Sequence, residues 1–305
     1  MSVPIKRIGP SVLRCEVEIE RGNSPEFLII SDVHWDNPYC DRELLTSHLS
    51  EAKRKGAPIL ILGDFFCAMQ GTGDPRAAKG DIRPEHLADD YLDSLVTTAS
   101  DYLEPYADLI YLFGKGNHEM SVRKRKEVDL IERTCAILKS RTGAAVPSGG
   151  YGGWVVFNTS WKSKNPEISA KHRTTGGKTR SKLVRLAWTH GSGGGGPVTK
   201  GTIQASRRAL YLPDADIVCS GHIHESWMME FARERMTNKG EVYFDIQTHL
   251  CTGTYKQEYD GKGESWHRQM GRPPKPLGGW WVSFRHGAVP KKGPTPVLVD
   301  ARRAS

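Results

Sequence analysis

Acidic, amide and imidazole side chains recur in five short motifs along the chain, and four of the five directly adjoin a glycine. The first motif is Asp32 and His34, two residues apart. The others are Gly63-Asp64, Gly116-Asn117-His118-Glu119, His190-Gly191 and Gly221-His222-Ile223-His224. Such oxygen and nitrogen donors, without thiolate, are ligands of Mn²⁺, Fe and Zn²⁺. One histidine alone is more often an ordinary surface or core residue, so metal chemistry requires that the fold bring several motifs together.

Apolar runs before the motifs predict the strands that must position these side chains. The runs lie at 27–30, 58–62, 109–113, 183–188 and 216–219. Their length and composition are those of buried strands. Ligands of open α/β sheets bind outside the carboxyl ends of the strands, so five segments would deliver side chains to one crevice. Because side chains alternate along a strand, Asp32 and His34 are predicted to share one face.

Helical patterns between the predicted strands indicate a layered α/β fold. Residues 41–55 form one predicted helix, with Asp41 as its N-cap and Gly56 just after its end. Residues 84–102 and 127–139 form two more. Alternating strands and helices favour a sheet that is covered by helices.

The chain is predicted to form one domain over residues 1–252, followed by an extension. A chain of 305 residues can bury a large core. A strand at 12–19 is predicted at a sheet edge, and strand patterns dominate from residue 151 onward. The segment 253–305 is rich in proline and glycine with two short strand candidates, and we expect it to pack on the same domain.

An excess of basic residues indicates a polyanionic partner. The net charge is +8 and the pI is near 9.1, values that favour attraction to nucleic acid. The basic residues concentrate at 123–126, directly after one motif, and in an insertion around 160–185. Such runs are commonly solvated loops. Their position beside the motifs also predicts that they attract phosphate groups.

Cysteine usage and hydropathy predict a cytoplasmic protein outside the membrane. Six cysteines are widely scattered without a Cys-x-x-Cys pair, which favours reduced thiols over a disulfide framework. No apolar run approaches the ~20 residues of a membrane helix. Residues 1–10 lack the apolar core of a secretory signal.

In this order, the five motifs resemble those of the calcineurin-like metallophosphoesterases, over roughly residues 25–250. The resemblance implies an α/β fold, a two-sheet β-sandwich flanked by helices. It also implies two divalent metal ions, with Mn²⁺ favoured and Fe or Zn²⁺ as alternatives, and Asp64 as the residue that bridges them. The remaining ligands implied by the resemblance are Asp32, His34 and His224 for the first ion, and Asn117, His190 and His222 for the second.

Phosphoester hydrolysis is the chemistry that the resemblance implies. Two metal ions ~3.5–4 Å apart acidify a bridging water and clamp the phosphate oxygens. His118 would lie next to the substrate, where it stabilises the transition state or protonates the leaving oxygen. Glu119 would orient His118 without binding a metal ion itself.

Two departures from the family pattern bear on chemistry and substrate. Cys67 stands where the second motif usually has another aspartate, and a thiol cannot accept the same hydrogen bonds. A redox-sensitive thiol and a buried inert one are both open. Phosphoprotein phosphatases of the family carry Asp-Arg-Gly after the second motif and an arginine before Asn-His. The chain lacks the former and has Lys115 for the latter, a point charge that can still hold phosphate.

We therefore predict a phosphodiesterase that acts on DNA, RNA or nucleotides. The expected phosphate contacts are Lys115, Arg123, Lys178, Arg180 and Lys182. Two alternatives remain open. One is a phosphomonoesterase of the phosphoprotein phosphatase type, and the other is a metal-binding protein in which Cys67 marks lost catalysis.

Overall fold

Two mixed β-sheets face each other in the computed structural model, which describes residues 5–20, 25–68, 82–162, 182–259, 269–286 and 297–304. From edge to edge, the five-stranded sheet contains Val297–Ala304 (β12), Gly279–His286 (β11), Glu26–Ile30 (β3), Ile59–Ile61 (β4) and Ile110–Phe113 (β5). The seven-stranded sheet contains Ile5–Gly9 (β1), Val12–Glu20 (β2), Gly152–Lys162 (β6), Lys182–Thr189 (β7), Ile217–Ser220 (β8), Val242–Cys251 (β10) and Trp227–Met236 (β9).

The sheets are held together by apolar side chains that alternate along their strands. In β3, Phe27 faces the other sheet, whereas Leu28 faces the helices. The centroid of the Phe27 ring lies 4.5 Å from the ring centroid of Phe157 in β6 and 5.3 Å from that of Phe284 in β11. Full burial of one such side chain contributes roughly 1.5–3 kcal/mol. A run that is apolar at every position therefore forms a strand that is buried on both faces.

Helices form the two outer layers. Arg42–Lys55 (α1), Tyr91–Leu103 (α2) and Leu130–Thr142 (α4) cover the five-stranded sheet, and Thr202–Tyr211 (α5) lies against the seven-stranded sheet. The predicted start of α1 is confirmed, because Asp41 accepts a hydrogen bond from Leu44 N at 2.9 Å. The predicted two-sheet sandwich flanked by helices is confirmed. In the ranges given above, no helix is long and apolar enough to cross a bilayer.

Three predicted elements are corrected. The strand at 12–19 is not an edge strand, because β1 turns back and pairs with it. The helix at 84–102 is a short 3₁₀ turn, Pro84–His86, followed by α2. The helix at 127–139 begins at Leu130, where the Asp129 carboxylate caps Glu132 N at 3.1 Å. A separate helix, Asn117–Lys126 (α3), precedes it and ends at Glu127, whose φ is 58°.

The carboxyl ends of the motif strands meet at one rim of the sandwich. Strands β3, β4 and β5 are parallel to one another, and β7 is parallel to β8. The C-terminal segment contributes β11 and β12, which pair beside β3 and bury Trp280 and Trp281. The five-stranded sheet that carries three motifs is therefore completed by residues far along the chain.

Candidate metal centre

The loops after the motif strands continue the hydrogen-bonding of the sheets. Asp32 N donates to Gly63 O at 3.0 Å, and His34 N donates to Asp64 O at 3.1 Å. Across the sandwich, His190 Nδ1 donates to Leu62 O at 3.2 Å. These bonds fix the first, second and fourth motifs relative to one another, although the motifs lie in different sheets.

One group of side chains comprises Asp32, His34 and His224. The Nε2 atoms of the two histidines are 3.2 Å apart. Nε2 of His224 also lies 3.2 Å from Asp32 Oδ1. Asp32 is fully buried and His34 is nearly so. Three donor atoms, from loops that follow strands of both sheets, thus lie within 4.8 Å of one another.

A second group comprises Asp64, Asn117, His190 and His222. His190 Nε2 is 3.1 Å from Asp64 Oδ2 and 3.1 Å from Asn117 Oδ1. His222 Nδ1 is 2.8 Å from the same Asn117 oxygen. Because His190 donates from Nδ1 to a carbonyl, its neutral form directs the Nε2 lone pair toward this group.

An unsatisfied carboxylate oxygen shows that the first group fits a cation. Among the described residues, no donor makes a hydrogen bond to the buried Asp32 Oδ1, although His224 Nε2 lies 3.2 Å away, and His34 Nδ1 has no hydrogen-bond partner either. Buried polar atoms are normally paired, and a buried charge without a partner is costly. A divalent cation between Asp32, His34 and His224 would satisfy the oxygen, and mixed oxygen and nitrogen donors suit Mn²⁺, Fe or Zn²⁺.

Left-handed backbone conformations distinguish the ligand loops. The φ angles are 54° at both Asp32 and His34, 47° at Asp64, 75° at His222 and 55° at His224. Residues other than glycine adopt this region uncommonly, and strained backbone concentrates at functional sites. The prediction that Asp32 and His34 share a strand face is wrong, because both follow the end of β3 and are aimed by these turns.

Two glycines allow the loops to approach each other closely. Gly63 has a φ of 109°, and a Cβ there would collide with the backbone of Gly116. A Cβ on Gly116 would fall onto the Asp64 carboxylate. Glycine is required at both positions because only its backbone leaves room for Asp64.

Charge coupling within the second group favours a cation. Burial opposes ionisation of Asp64, but His118 and His190 outweigh it and hold the pKa of the carboxyl well below its usual value. Burial also opposes protonation of His190, yet the charge of Asp64 raises the pKa of this imidazole to about 9. A carboxylate that draws a proton onto a buried imidazole provides the negative potential that a divalent metal ion requires.

His118 and Glu119 follow Asn117 but have different partners. His118 Nδ1 donates to Cys67 O at 2.6 Å, and its Nε2 lies 3.7 Å from Asp64 Oδ2. Glu119 does not orient His118, which corrects the sequence interpretation. Instead, Glu119 accepts from the backbone N–H groups of Asp64, Phe66 and Gly116 at 3.1, 2.8 and 2.7 Å. Burial, together with the charge of Asp64, raises the pKa of Glu119 to about 8.

Asp36 supplies the carboxylate that was missing at position 67. Its two oxygens accept from Cys67 N at 2.6 Å and Ala68 N at 2.9 Å, and Tyr91 OH donates to it at 2.7 Å. The Cys67 thiol is buried, and burial raises its pKa far above the usual value. These features favour an inert thiol over a redox-sensitive one. The loop after Asp64 is thus supported by a residue from the first motif loop.

Replacing Asp36 by asparagine should destabilise this loop. An amide would face the N–H groups of residues 67 and 68 with one acceptor instead of two, so we expect a loss of about 1–3 kcal/mol in the free energy of unfolding. Metal affinity should fall with it. Urea unfolding and metal titration of Asp36→Asn measure both effects, and the matched Asp108→Asn variant, the same change at an exposed residue, should change neither. Equal losses in the two variants would contradict the role of Asp36.

The structure describes only some of the residues that were predicted to contact phosphate. Lys115 is buried, and its Nζ lies 2.6 Å from Asp129 Oδ2, so this amine is held in an ion pair instead of facing a substrate. Arg123 is exposed on α3. Lys178 and Arg180, like most of the basic insertion, lie outside the described residues, and only the backbone of Lys182 is described, at the start of β7.

Two residues near the centre were not predicted. The Tyr151 hydroxyl donates to Gly191 O at 2.6 Å, and its ring lies edge-on to His190 at 5.4 Å. The charge of Lys256 acts on His34 and Cys67, and its Nζ is paired with Glu258. Neither residue belongs to a motif. Tyr151 precedes a glycine pair at the start of β6, but Lys256 gives no sequence signal.

A layered α/β sandwich with paired groups of carboxylate, amide and imidazole donors at one rim defines a metallohydrolase. The chain belongs to the calcineurin-like phosphoesterase family, whose model matches residues 25–226. No curated protein sequence matches the chain. Family membership implies metal-dependent hydrolysis of phosphoesters, typically with two divalent metal ions.

Proposed function

We propose that the chain is a phosphodiesterase that cleaves nucleic acid or nucleotides, with Mn²⁺ as the favoured ion. The observation that carries this proposal is the exposed basic run at 123–126 on α3, the helix that begins with Asn117 and His118. At a rise of about 1.5 Å per residue, the run begins about 9 Å along the helix from Asn117. A polyanionic chain bound at the centre would therefore pass next to four basic residues.

The ion pair of Lys115 supports a diester over a monoester. A phosphomonoester carries one more negative charge than a diester at neutral pH and benefits from an additional cation beside the phosphate. The residue that resembles the phosphatase arginine is Lys115, and its Nζ is already neutralised by Asp129. A diester, whose phosphate carries a single charge, has less need of that contact.

In this proposal, both groups of ligands hold a metal ion. Asp32, His34 and His224 would hold one, and Asn117, His190 and His222 the other, with Asp64 shared between them. When bound, the ions would supply a nucleophilic water at neutral pH and neutralise the phosphate charge. Tyr151 fixes the loop after His190 through the carbonyl of Gly191, which keeps that imidazole aligned.

His118 is the proposed proton donor to the leaving oxygen. The hydrogen on Nδ1 is held by the carbonyl of Cys67. The ring therefore presents only Nε2, which lies on the side of Asp64. A proton on Nε2 can pass to the oxygen that departs from phosphorus.

A substrate panel tests the proposal. With Mn²⁺ present, bis-p-nitrophenyl phosphate and oligonucleotides should turn over faster than p-nitrophenyl phosphate and phosphopeptides. Chelation should abolish the activity, and added Mn²⁺ should restore it. A strong preference for monoesters would refute the diesterase proposal, and metal binding without any turnover would favour a metal-binding protein.

The salt dependence of nucleic-acid binding should report the basic run on α3. Replacing Arg123 and Lys124 by alanine should lower the slope of log K against log salt by about 1–2, because each phosphate contact contributes about 0.9 in duplex DNA. Fluorescence anisotropy with a labelled duplex measures the slope. Alanine at Arg54 and Lys239, which are exposed on other elements, is the matched control. An unchanged slope in the α3 variant would assign the run to a solvated face.

We also propose a cytoplasmic location. All six cysteines are buried thiols that form no disulfide, which supports a reducing compartment.

A further inference from the structure

A cavity of about 310 Å³ lies between α5 and the outer face of the seven-stranded sheet. Trp154 and Val218 line it from the sheet, and Arg208 and Tyr211 line it from α5. This volume is at the lower end of the range of about 300–1,000 Å³ that is typical of small-molecule sites. The metal centre does not use any of these side chains.

The cavity adjoins the loops that carry the metal-centre histidines. Its wall includes Ser192, two residues after His190. A smaller cavity beside it shares Ser192 and Arg208 and reaches Gly221, the residue before His222. A molecule in the larger cavity would thus lie behind the His190 and His222 loops.

Arg208 places a cation at the wall of both cavities. The residue is 8 % exposed, and its guanidinium has no hydrogen bond or ion pair with another residue that the structure describes. Arg233, on the sheet covered by α5, contrasts with it. Arg233 is paired with Asp245 at 2.7 Å and also donates to two carbonyls. A guanidinium that lines a cavity and is not taken up by a carboxylate of the described residues can bind an anion there.

We propose that this cavity is a second ligand site that binds a nucleotide, with the phosphate on Arg208 and the base against Trp154 and Tyr211. Gln204 and Ser192 line the same space and offer polar contacts to the phosphate or sugar. Aromatic side chains stack on any base, and an arginine binds phosphate through two parallel hydrogen bonds. The choice of a nucleotide rests on the proposed function, whereas the choice of an anion rests on Arg208 alone. The nucleotide is either free or one unit of a bound nucleic acid.

Calorimetric titration of the whole 305-residue chain, loaded with metal, tests the site with a nucleoside monophosphate and with inorganic phosphate as probes. Arg208→Met should weaken nucleotide binding about 10- to 100-fold. Arg207→Met, on the exposed face of the same helix, should bind the nucleotide as the wild type does. Arg208→Lys, which retains the charge, should weaken binding less than methionine.

Separate measurements distinguish this site from the metal centre and identify the source of the nucleotide. Asp64→Asn protein should still bind the nucleotide, even if no variant hydrolyses a diester. Loss of oligonucleotide affinity in Arg208→Met, seen as a higher KM at unchanged kcat, would identify a unit of the substrate chain. An unchanged oligonucleotide KM together with lost mononucleotide binding would identify the free nucleotide. Equal nucleotide affinity in wild type and Arg208→Met, or equal affinity for nucleotide and inorganic phosphate, would overturn the proposal.

Discussion

Asp64→Asn is expected to reduce turnover of bis-p-nitrophenyl phosphate below detection and to lower the metal content of the protein. The Asp64 carboxylate is 2 % exposed, lies 3.1 Å from His190 Nε2 and accepts from His118 N at 3.0 Å. Asparagine can retain the bond from His118 N through its carbonyl oxygen. Its amide nitrogen has no charge and no lone pair to offer, so the position proposed to be shared by both ions loses its ligand.

Metal content by plasma mass spectrometry and turnover with saturating Mn²⁺ measure the two effects. Asp108→Asn, an identical change on an exposed residue, should bind metal and turn over substrate as the wild type does. Circular dichroism should show that Asp64→Asn is folded, since the backbone bond to the side chain is retained. Full metal content with more than about a tenth of wild-type turnover would remove Asp64 from the centre.

Both sheets contribute residues to each ligand group, so the loss of a ligand is expected to affect the stability of the sandwich as well as the metal centre. Asp32 and His34 follow β3, whereas His224, the third member of their group, follows β8. Asp64 and Asn117 likewise follow β4 and β5 of the five-stranded sheet, and His190 follows β7 of the other sheet. A cation in either group would join the two sheets at their rim. Metal binding is therefore expected to couple to the stability of the sandwich.

The convergence of the motifs could be predicted from the sequence because it depends only on strand polarity. Apolar runs that alternate with helices favour parallel strands, and the carboxyl ends of parallel strands meet at one rim. The conformation that aims the ligands could not be predicted. Periodicity assigns alternating faces within a strand, but Asp32 and His34 lie beyond the strand in left-handed turns, where alternation no longer applies.

Roles that depend on contacts between distant parts of the chain also could not be predicted from the motifs. Asp36 replaces the carboxylate absent at Cys67 because loops 31 residues apart are adjacent in space. Arg208 lies on a short helix whose sequence shows nothing unusual, and its position at a cavity is visible only when the sheet beneath the helix is known. Lys115 is the converse case. A motif assigned it to the substrate, but Asp129, which caps α4, takes up its charge.

His118→Ala should slow the hydrolysis of an oligonucleotide by about 10²-fold or more, the typical contribution of a positioned general acid. Both metal ions should remain bound, because His118 belongs to neither of the two groups proposed to hold them, and its Nε2 is 3.7 Å from Asp64 Oδ2. The loss should be smaller for bis-p-nitrophenyl phosphate. Its p-nitrophenolate leaving group is stable as an anion and needs no proton, whereas a nucleoside alkoxide does.

Comparing the two substrates in wild type and His118→Ala therefore separates the roles open to this residue. A loss confined largely to the oligonucleotide identifies His118 as the donor of a proton to the leaving oxygen. An equal loss with both substrates would contradict that role and would assign the imidazole to stabilising charge on the phosphate. Because Nδ1 is held by the carbonyl of Cys67, either role must be performed by Nε2. Loss of bound metal in this variant would contradict both roles, since it would place His118 among the ligands.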